Sequence, residues 1–235
     1  MTALLEASGV AAGYGKKEIV RGVDIAVAEG EVLLVLGHNG AGKTTLMRAL
    51  FGLLAPRAGR VTFAGRDITG RSPAENVADG LAFIPQGHGI FPTLSVRDNL
   101  ELGAFALKER RTLGERLDTV FALFPVLAER RGQIGGTLSG GQQQMLAIAM
   151  ALMHAPRLVI LDEPSIGLAP NLVDKVMQAV REVNRRFGAT ILMVEQNLRY
   201  SLPIADRVVV LKTGRKIYDG PPEPLHDRVA LMKLF

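Results

Sequence analysis

The stretch that most constrains this chain covers residues 32–45. Val32–Leu36 is a continuous apolar run, the mark of a strand buried on both faces. It leads directly into Gly37-His38-Asn39-Gly40-Ala41-Gly42-Lys43-Thr44-Thr45, which fits the phosphate-binding pattern G-x-x-x-x-G-K-[ST], and residues 43–53 then read as a helix. Glycines let consecutive backbone N–H groups turn inward around a phosphate. The helix aims its positive N-terminus at the same place. Lys43 adds a mobile cation for the β- and γ-phosphates of a nucleotide, and the Thr44 hydroxyl is placed to bind Mg²⁺. The plainer alternative is a glycine-rich turn that binds nothing; the buried strand before it and the helix after it argue against that. His38 occupies a variable position and is assigned no chemistry.

A second apolar run, 158–161, ends in Asp162-Glu163-Pro164. In an open parallel sheet, ligands bind beyond the carboxyl ends of the strands, so these carboxylates are expected at the same edge as the glycine loop. Adjacent residues leave a strand in opposite directions, which predicts separate jobs. Asp162 suits the Mg²⁺ shell, and Glu163 can orient and deprotonate an attacking water. The competing reading makes Glu163 a cap of the following helix.

Between these motifs the chain alternates strand and helix. Residues 1–30 alternate apolar and polar, with turns at Gly13-Tyr14-Gly15 and Glu29-Gly30, and read as short antiparallel strands. Strands are expected at 60–64, Leu81–Ile84, Thr190–Val194 and 207–211. Helical patterns cover 96–131 and 172–186, and Ser139 opens a helix that is apolar nearly all round. Alternation of this kind implies an α/β protein with a parallel sheet and helices on both faces. The helical block near 90–150 interrupts it as an inserted lobe.

Composition narrows the function classes. With 235 residues, 48% of them hydrophobic, the chain can bury one sizeable core, divided at most into two lobes. The net charge of +5 is modest and spread out. There is no basic cluster with interleaved aromatics, so nucleic acid is not the expected partner. No cysteine is present, which excludes disulfides and thiol chemistry. Residues 1–10 lack a basic n-region and include Glu6, unlike a signal peptide. The longest apolar run, 145–153, falls far short of the roughly 18 residues that suggest a membrane span. The chain is expected to be soluble, with any membrane spans supplied by other subunits.

Leu138-Ser139-Gly140-Gly141-Gln142 resembles the signature of ABC-type ATPases. Glycine loop, signature and acidic strand end occur in that family's order and spacing, over essentially the whole chain. Gln86 resembles the Q-loop glutamine, and Tyr14 sits where the family has an aromatic residue that stacks on adenine. The resemblance implies a single domain over 1–235 that binds and hydrolyses ATP with Mg²⁺. Residues 1–86 and 151–235 would form a P-loop core with an N-terminal antiparallel β subdomain, and 87–150 an α-helical subdomain. Thr44, Gln86 and Asp162 would hold Mg²⁺, while Glu163, Gln86 and Gln196 would serve hydrolysis. Ser139 and its glycines offer a hydroxyl and bare N–H groups at a helix N-terminus, a second phosphate site. In the family this site completes the glycine-loop site of a second subunit, paired head-to-tail.

Two departures point to one branch. Gln196 stands where the family has its switch histidine, and Ala169 where many members have an aspartate. A glutamine can hydrogen-bond a γ-phosphate but cannot become cationic near neutral pH. With Asp162-Glu163-Pro164-Ser165-Ile166-Gly167-Leu168-Ala169-Pro170 and Gln142-Gln143-Gln144-Met145-Leu146-Ala147-Ile148, they resemble the ATP-binding subunits of bacterial branched-chain amino acid importers. Gly87 and Ile90-Phe91-Pro92 agree, although His88 and Gly89 replace expected basic residues. That branch implies a non-identical ATPase partner, two membrane permease subunits and an external solute-binding protein, with this chain peripheral on the inner face of the cell membrane. Isolated chains could also pair as homodimers. Urea or short-amide import is the alternative cargo. A soluble ABC ATPase acting on nucleic acid or ribosomes would be marked by two ATPase domains or a long coiled-coil insert, and a P-loop kinase would lack the signature.

Overall fold

The computed structural model describes residues 3–87, 89–105 and 112–226. The N-terminal segment is a hairpin of β1 (Ala3–Tyr14) and β2 (Lys17–Ala28). Several register shifts along their pairing bend these long strands. β3 (Val32–Leu36) runs into helix α1 (Lys43–Phe51). β4 (Ala58–Phe63) and the two-residue β5 (Arg66–Asp67) complete an antiparallel sheet of order β2-β1-β4-β5. Helix α2 (Pro73–Ala78) precedes β6 (Leu81–Ile84).

The expected helical stretch 96–131 is several pieces. They are α3 (Val96–Gly103), α4 (Leu113–Leu123) and α5 (Pro125–Ala128), with 106–111 outside the described residues. Pro125 separates the last two, because the residue before a proline is pushed out of helical geometry; Phe124 has φ −121° and ψ 73°. The chain continues through α6 (Gly140–Leu152), β7 (Leu158–Asp162), α7 (Pro170–Phe187), β8 (Thr190–Val194), α8 (Leu198–Ser201), β9 (Arg207–Lys212) and β10 (Arg215–Gly220).

The central sheet has the order β10-β9-β3-β8-β7-β6. All its pairings are parallel except that of β10 with β9. β3, β7 and β8 are buried along their full length, as their apolar runs predict, and the burial extends to Asp162 at the end of β7 and Thr190 at the start of β8. Their side chains alternate across the sheet and divide the core in two. Leu33, Val35, Ile160, Leu192 and Val194 pack with α1 and the antiparallel sheet. Val32, Leu34, Leu36, Leu161 and Met193 pack with α3 to α7. The helical stretch shares that second cluster: Val96, Leu100, Leu117 and Val120 are continuous with Ile84 and Val159.

Helix faces follow the same logic. α7 buries Val173, Val176, Met177, Val180 and Val183, one stripe of helical period. α6 buries nearly its whole circumference, as expected. Ser72, Ser95 and Ser139 each cap a helix in a reciprocal capping box. Helix α2 is not among the elements expected from the sequence, although Ser72-Pro73-Ala74-Glu75 carries its start signal. Nor is β10, an edge strand of charged and polar residues with no apolar run.

Helices α3 and α6 cross closely at Gly103, where an added Cβ would lie 2.4 Å from the Met150 carbonyl oxygen. At Gly114, in α4, an added Cβ would have nothing within 4 Å. Gly103→Ala should therefore lower stability by about 1–3 kcal/mol through overpacking. Gly114→Ala should raise it by about 0.4–1 kcal/mol by restricting the unfolded chain. Urea denaturation of the two variants measures both signs.

Candidate functional site

Parallel strand order gathers the site. The carboxyl ends of β3, β8, β7 and β6 lie along one edge, with β8 between the glycine-loop strand β3 and the acidic strand β7. A cleft of about 620 Å³ opens at this edge. Asn39, Gly40, Gly42, Lys43, Thr44 and Thr45 line it, and Gln86, Glu163 and Gln196 join them from the ends of β6, β7 and β8.

The loop after β3 is shaped by its glycines. Gly42 has φ +101°, in the region L side chains avoid, and immediately precedes α1. Lys43 begins that helix and is buried, 5% exposed. Its ammonium donates to the carbonyl oxygens of Gly37 at 2.8 Å and His38 at 3.2 Å. It lies 3.8 Å from Oε1 of Glu163. Burial pushes the Lys43 pKa below its ordinary value, while Glu163, Asp162 and Glu195 oppose that shift.

The Thr44 hydroxyl donates to Oδ1 of Asp162 at 2.9 Å. Burial raises the Asp162 pKa; the Thr44 hydrogen bond opposes this and the Glu163 charge adds to it. Hydroxyl and carboxylate thus converge, the hard-oxygen pair that suits Mg²⁺ alongside phosphate oxygens. Among the described residues no group of three or more His, Cys, Asp or Glu side chains forms a cation cage of its own. A Mg²⁺ ion here would be shared with a nucleotide, as Mg²⁺ commonly is.

Asp162 and Glu163 do diverge, but strand alternation is not the cause. β7 stops at Asp162, and Glu163 adopts φ +50°, a left-handed conformation rare outside glycine. Its N–H donates to the Val194 carbonyl at 3.0 Å, and its own carbonyl accepts from Ile166 N–H at 3.2 Å. Strained backbone of this kind is characteristic of functional sites. Oε1 of Glu163 accepts from the Gln196 side-chain amide at 2.7 Å. This contact also argues against the reading of Glu163 as a mere helix cap.

The remaining expected site residues lie elsewhere. Gly37 and Ala41 support the loop: Gly37 accepts from Lys43, and the Ala41 carbonyl accepts from Gly214 N–H at 3.0 Å. Tyr14 is exposed, its hydroxyl accepts from Arg48 at 3.1 Å, and it is not part of the cleft wall. Lys17, Glu18, Ile19 and Arg21 of β2, with Ile166 and Thr213, line the cleft instead. Nothing in the sequence of β2 marks it for this place; the packing of the antiparallel sheet puts it there. Ser139, Gly140, Gly141 and Gln142 do not line the cleft. Ser139 caps α6, its Oγ accepting from Gln142 N–H at 3.4 Å and its N–H donating to the Gln142 side chain at 3.0 Å. Ala169 precedes α7 and is exposed. His88 lies outside the described residues.

Glu195 is a residue that the sequence motifs do not single out. It is 2% exposed and follows β8 directly. Burial raises its pKa, against hydrogen bonds from the N–H groups of Ser165, Gln196 and Asn197. Its signal is a carboxylate directly after the apolar run 191–194, the same signal that marks Asp162 and Glu163.

Residues 20–166 match the family model described as ABC transporter. The chain is 39% identical over 212 residues to the high-affinity branched-chain amino acid transport ATP-binding protein BraG of Pseudomonas aeruginosa, covering 90% of each chain. It is 33% identical over 223 residues to the probable branched-chain amino acid transport ATP-binding protein LivF of Archaeoglobus fulgidus, covering 95% of this chain and 94% of that one. Relatives named for other cargoes match at 34% to 38% identity. The crystal structure of the ADP conformation of an ATP-binding cassette of an ABC transporter superposes with a TM-score of 0.86 at 29% identity, covering 99% of this chain and 98% of that one. With the cleft at the glycine loop and these matches together, the chain belongs to the ABC transporter family, as an ATP-binding subunit that hydrolyses ATP in the service of transport.

Proposed function

We propose that this chain energises an importer for branched-chain amino acids by hydrolysing Mg²⁺-ATP in the cleft between the glycine loop and Glu163. The observation that carries the catalytic part is convergence. Lys43, Thr44, Glu163 and Gln196, from three strand ends, line one cleft, and Asp162 is bonded to Thr44.

The nucleotide phosphates sit on the backbone N–H groups of residues 37–45 and the N-terminus of α1. Lys43 exchanges its bonds to the Gly37 and His38 carbonyls for the β- and γ-phosphates. Glu163 orients the attacking water and accepts its proton. The water oxygen bonds to the γ-phosphorus as the bond to the bridging oxygen breaks, leaving ADP and phosphate. Thr44, Asp162 and Gln86 would hold Mg²⁺, which when bound neutralises phosphate charge.

The signature at Ser139 to Gln142 lies away from this cleft, which supports a paired arrangement in which it covers the nucleotide of a second subunit. Residues 1–86 and 151–235 would act as the nucleotide-binding core and 87–150 as the helical part. No helix among the described residues is long and apolar enough to cross a membrane. That agrees with a chain peripheral on the inner face of the cell membrane, docked on two permease subunits, with a non-identical ATPase partner and an external binding protein. Tyr14, exposed and bonded through its hydroxyl to Arg48, would offer its ring face to adenine. The cargo rests on the relatives named for branched-chain amino acid transport.

Glu163→Gln should lower ATP turnover about 10²-fold or more while ATP binding persists, since only the proton acceptor is lost. In cells whose only copy of this subunit carries Lys43→Ala, leucine uptake should be abolished and sulfate uptake unchanged; retained leucine uptake alongside lost ATP turnover by the variant would refute the cargo. Gln196 cannot carry a positive charge toward a γ-phosphate, so this chain's site should turn over more slowly than its partner's. In the assembled complex, Glu163→Gln here should then reduce turnover less than the matching change in the partner.

A further inference from the structure

Glu195 takes no part in this hydrolytic chemistry. It does not line the nucleotide cleft but an adjoining hollow of about 530 Å³ beside Gly37, His38 and Leu198, which shares Asn39 and Gln196 with the cleft. A carboxylate 2% exposed is costly to bury unless its oxygens are satisfied. Here both are. Oε1 accepts from Ser165 N–H at 2.8 Å, and Oε2 accepts from Gln196 N–H at 3.0 Å and Asn197 N–H at 3.3 Å.

These partners belong to two different loops. Ser165 lies two residues beyond Glu163 in the loop after β7, whereas Gln196 and Asn197 begin the loop after β8. The single carboxylate therefore clamps the two loops together. The backbone bond from Glu163 N–H to the Val194 carbonyl lies alongside this clamp. From the clamped loops, the Gln196 amide reaches Glu163 Oε1 at 2.7 Å, the oxygen that also faces Lys43.

We propose that Glu195 is a positioning residue for ATP hydrolysis, holding the loops after β7 and β8 in the register that lets Gln196 aim the Glu163 carboxylate. The proposal rests on the reading of Glu163 as the residue that activates water. A hydroxyl or amide could satisfy one loop at a time, whereas a carboxylate accepts from both at once. Glutamine in its place keeps the size but turns an NH₂ group toward at least one backbone N–H. One loop then loses its anchor.

The test is steady-state ATP turnover by homodimers of the full-length chain, in which both sites are this chain's own, carrying Glu195→Gln, Gln196→Ala, both together, or Glu163→Gln as a control. Glu195→Gln should lower kcat about tenfold or more, as loss of alignment does. Half-saturating ATP should change less than about threefold, because the phosphate loop is untouched. The double variant should be little slower than Gln196→Ala alone, since both break one chain of contacts. Backbone hydrogen exchange should rise together at 163–168 and 195–198. A kcat within about twofold of the unsubstituted chain, or fully additive losses, would overturn the proposal. If Glu195→Gln does not fold, Gln196→Ala at its exposed position decides the same link: unchanged kcat overturns it. Full turnover in the Glu163→Gln control would remove the underlying reading as well, whereas a loss there with normal Glu195→Gln kinetics would sink only the positioning role.

Discussion

Everything in this molecule depends on covering both faces of five short parallel strands. β9, β3, β8, β7 and β6 are joined by parallel pairing and are largely apolar, so neither face can meet water. One face is covered by α1 and the antiparallel sheet, the other by α3 to α7. Burying apolar surface on this scale is what leaves the carboxyl ends of the strands as the polar edge where function can collect.

That edge works because of strand order rather than chain order. β3 and β7 lie far apart in sequence, yet only β8 separates them in the sheet. The loop after β8 is therefore wedged between glycine loop and acidic loop. Its two first residues face different tasks: Gln196 bonds to Glu163 on the nucleotide side, and Glu195 ties the loops together beneath. A buried lysine, two buried carboxylates at the end of β7 and a third after β8 crowd a small volume. Such a cluster is tolerable because nearly every charge has a named partner.

The arrangement also keeps the signature apart from the cleft. Lys43, Thr44 and Glu163 line one cleft, with Asp162 bonded to Thr44, while Ser139 and its glycines cap α6 elsewhere. The capping box uses the Ser139 hydroxyl as an acceptor and leaves its proton available to a ligand.

The sequence alone determined the motifs whose chemistry is local. A glycine loop between a buried strand and a helix is written in consecutive residues, because backbone N–H groups and one helix N-terminus do the work. The same holds for Asp162, for the cap at Ser139, and for the strands that are apolar throughout. Tertiary structure decided what depends on contacts between distant segments. It turned Glu163 through a left-handed backbone, brought Gln196 to its carboxylate, put β2 rather than Tyr14 on the cleft wall and made Glu195 a clamp. The reason is physical. A hydrogen bond between loops 30 residues apart leaves no periodic trace in either loop, because it is set by which strands are neighbours in the sheet.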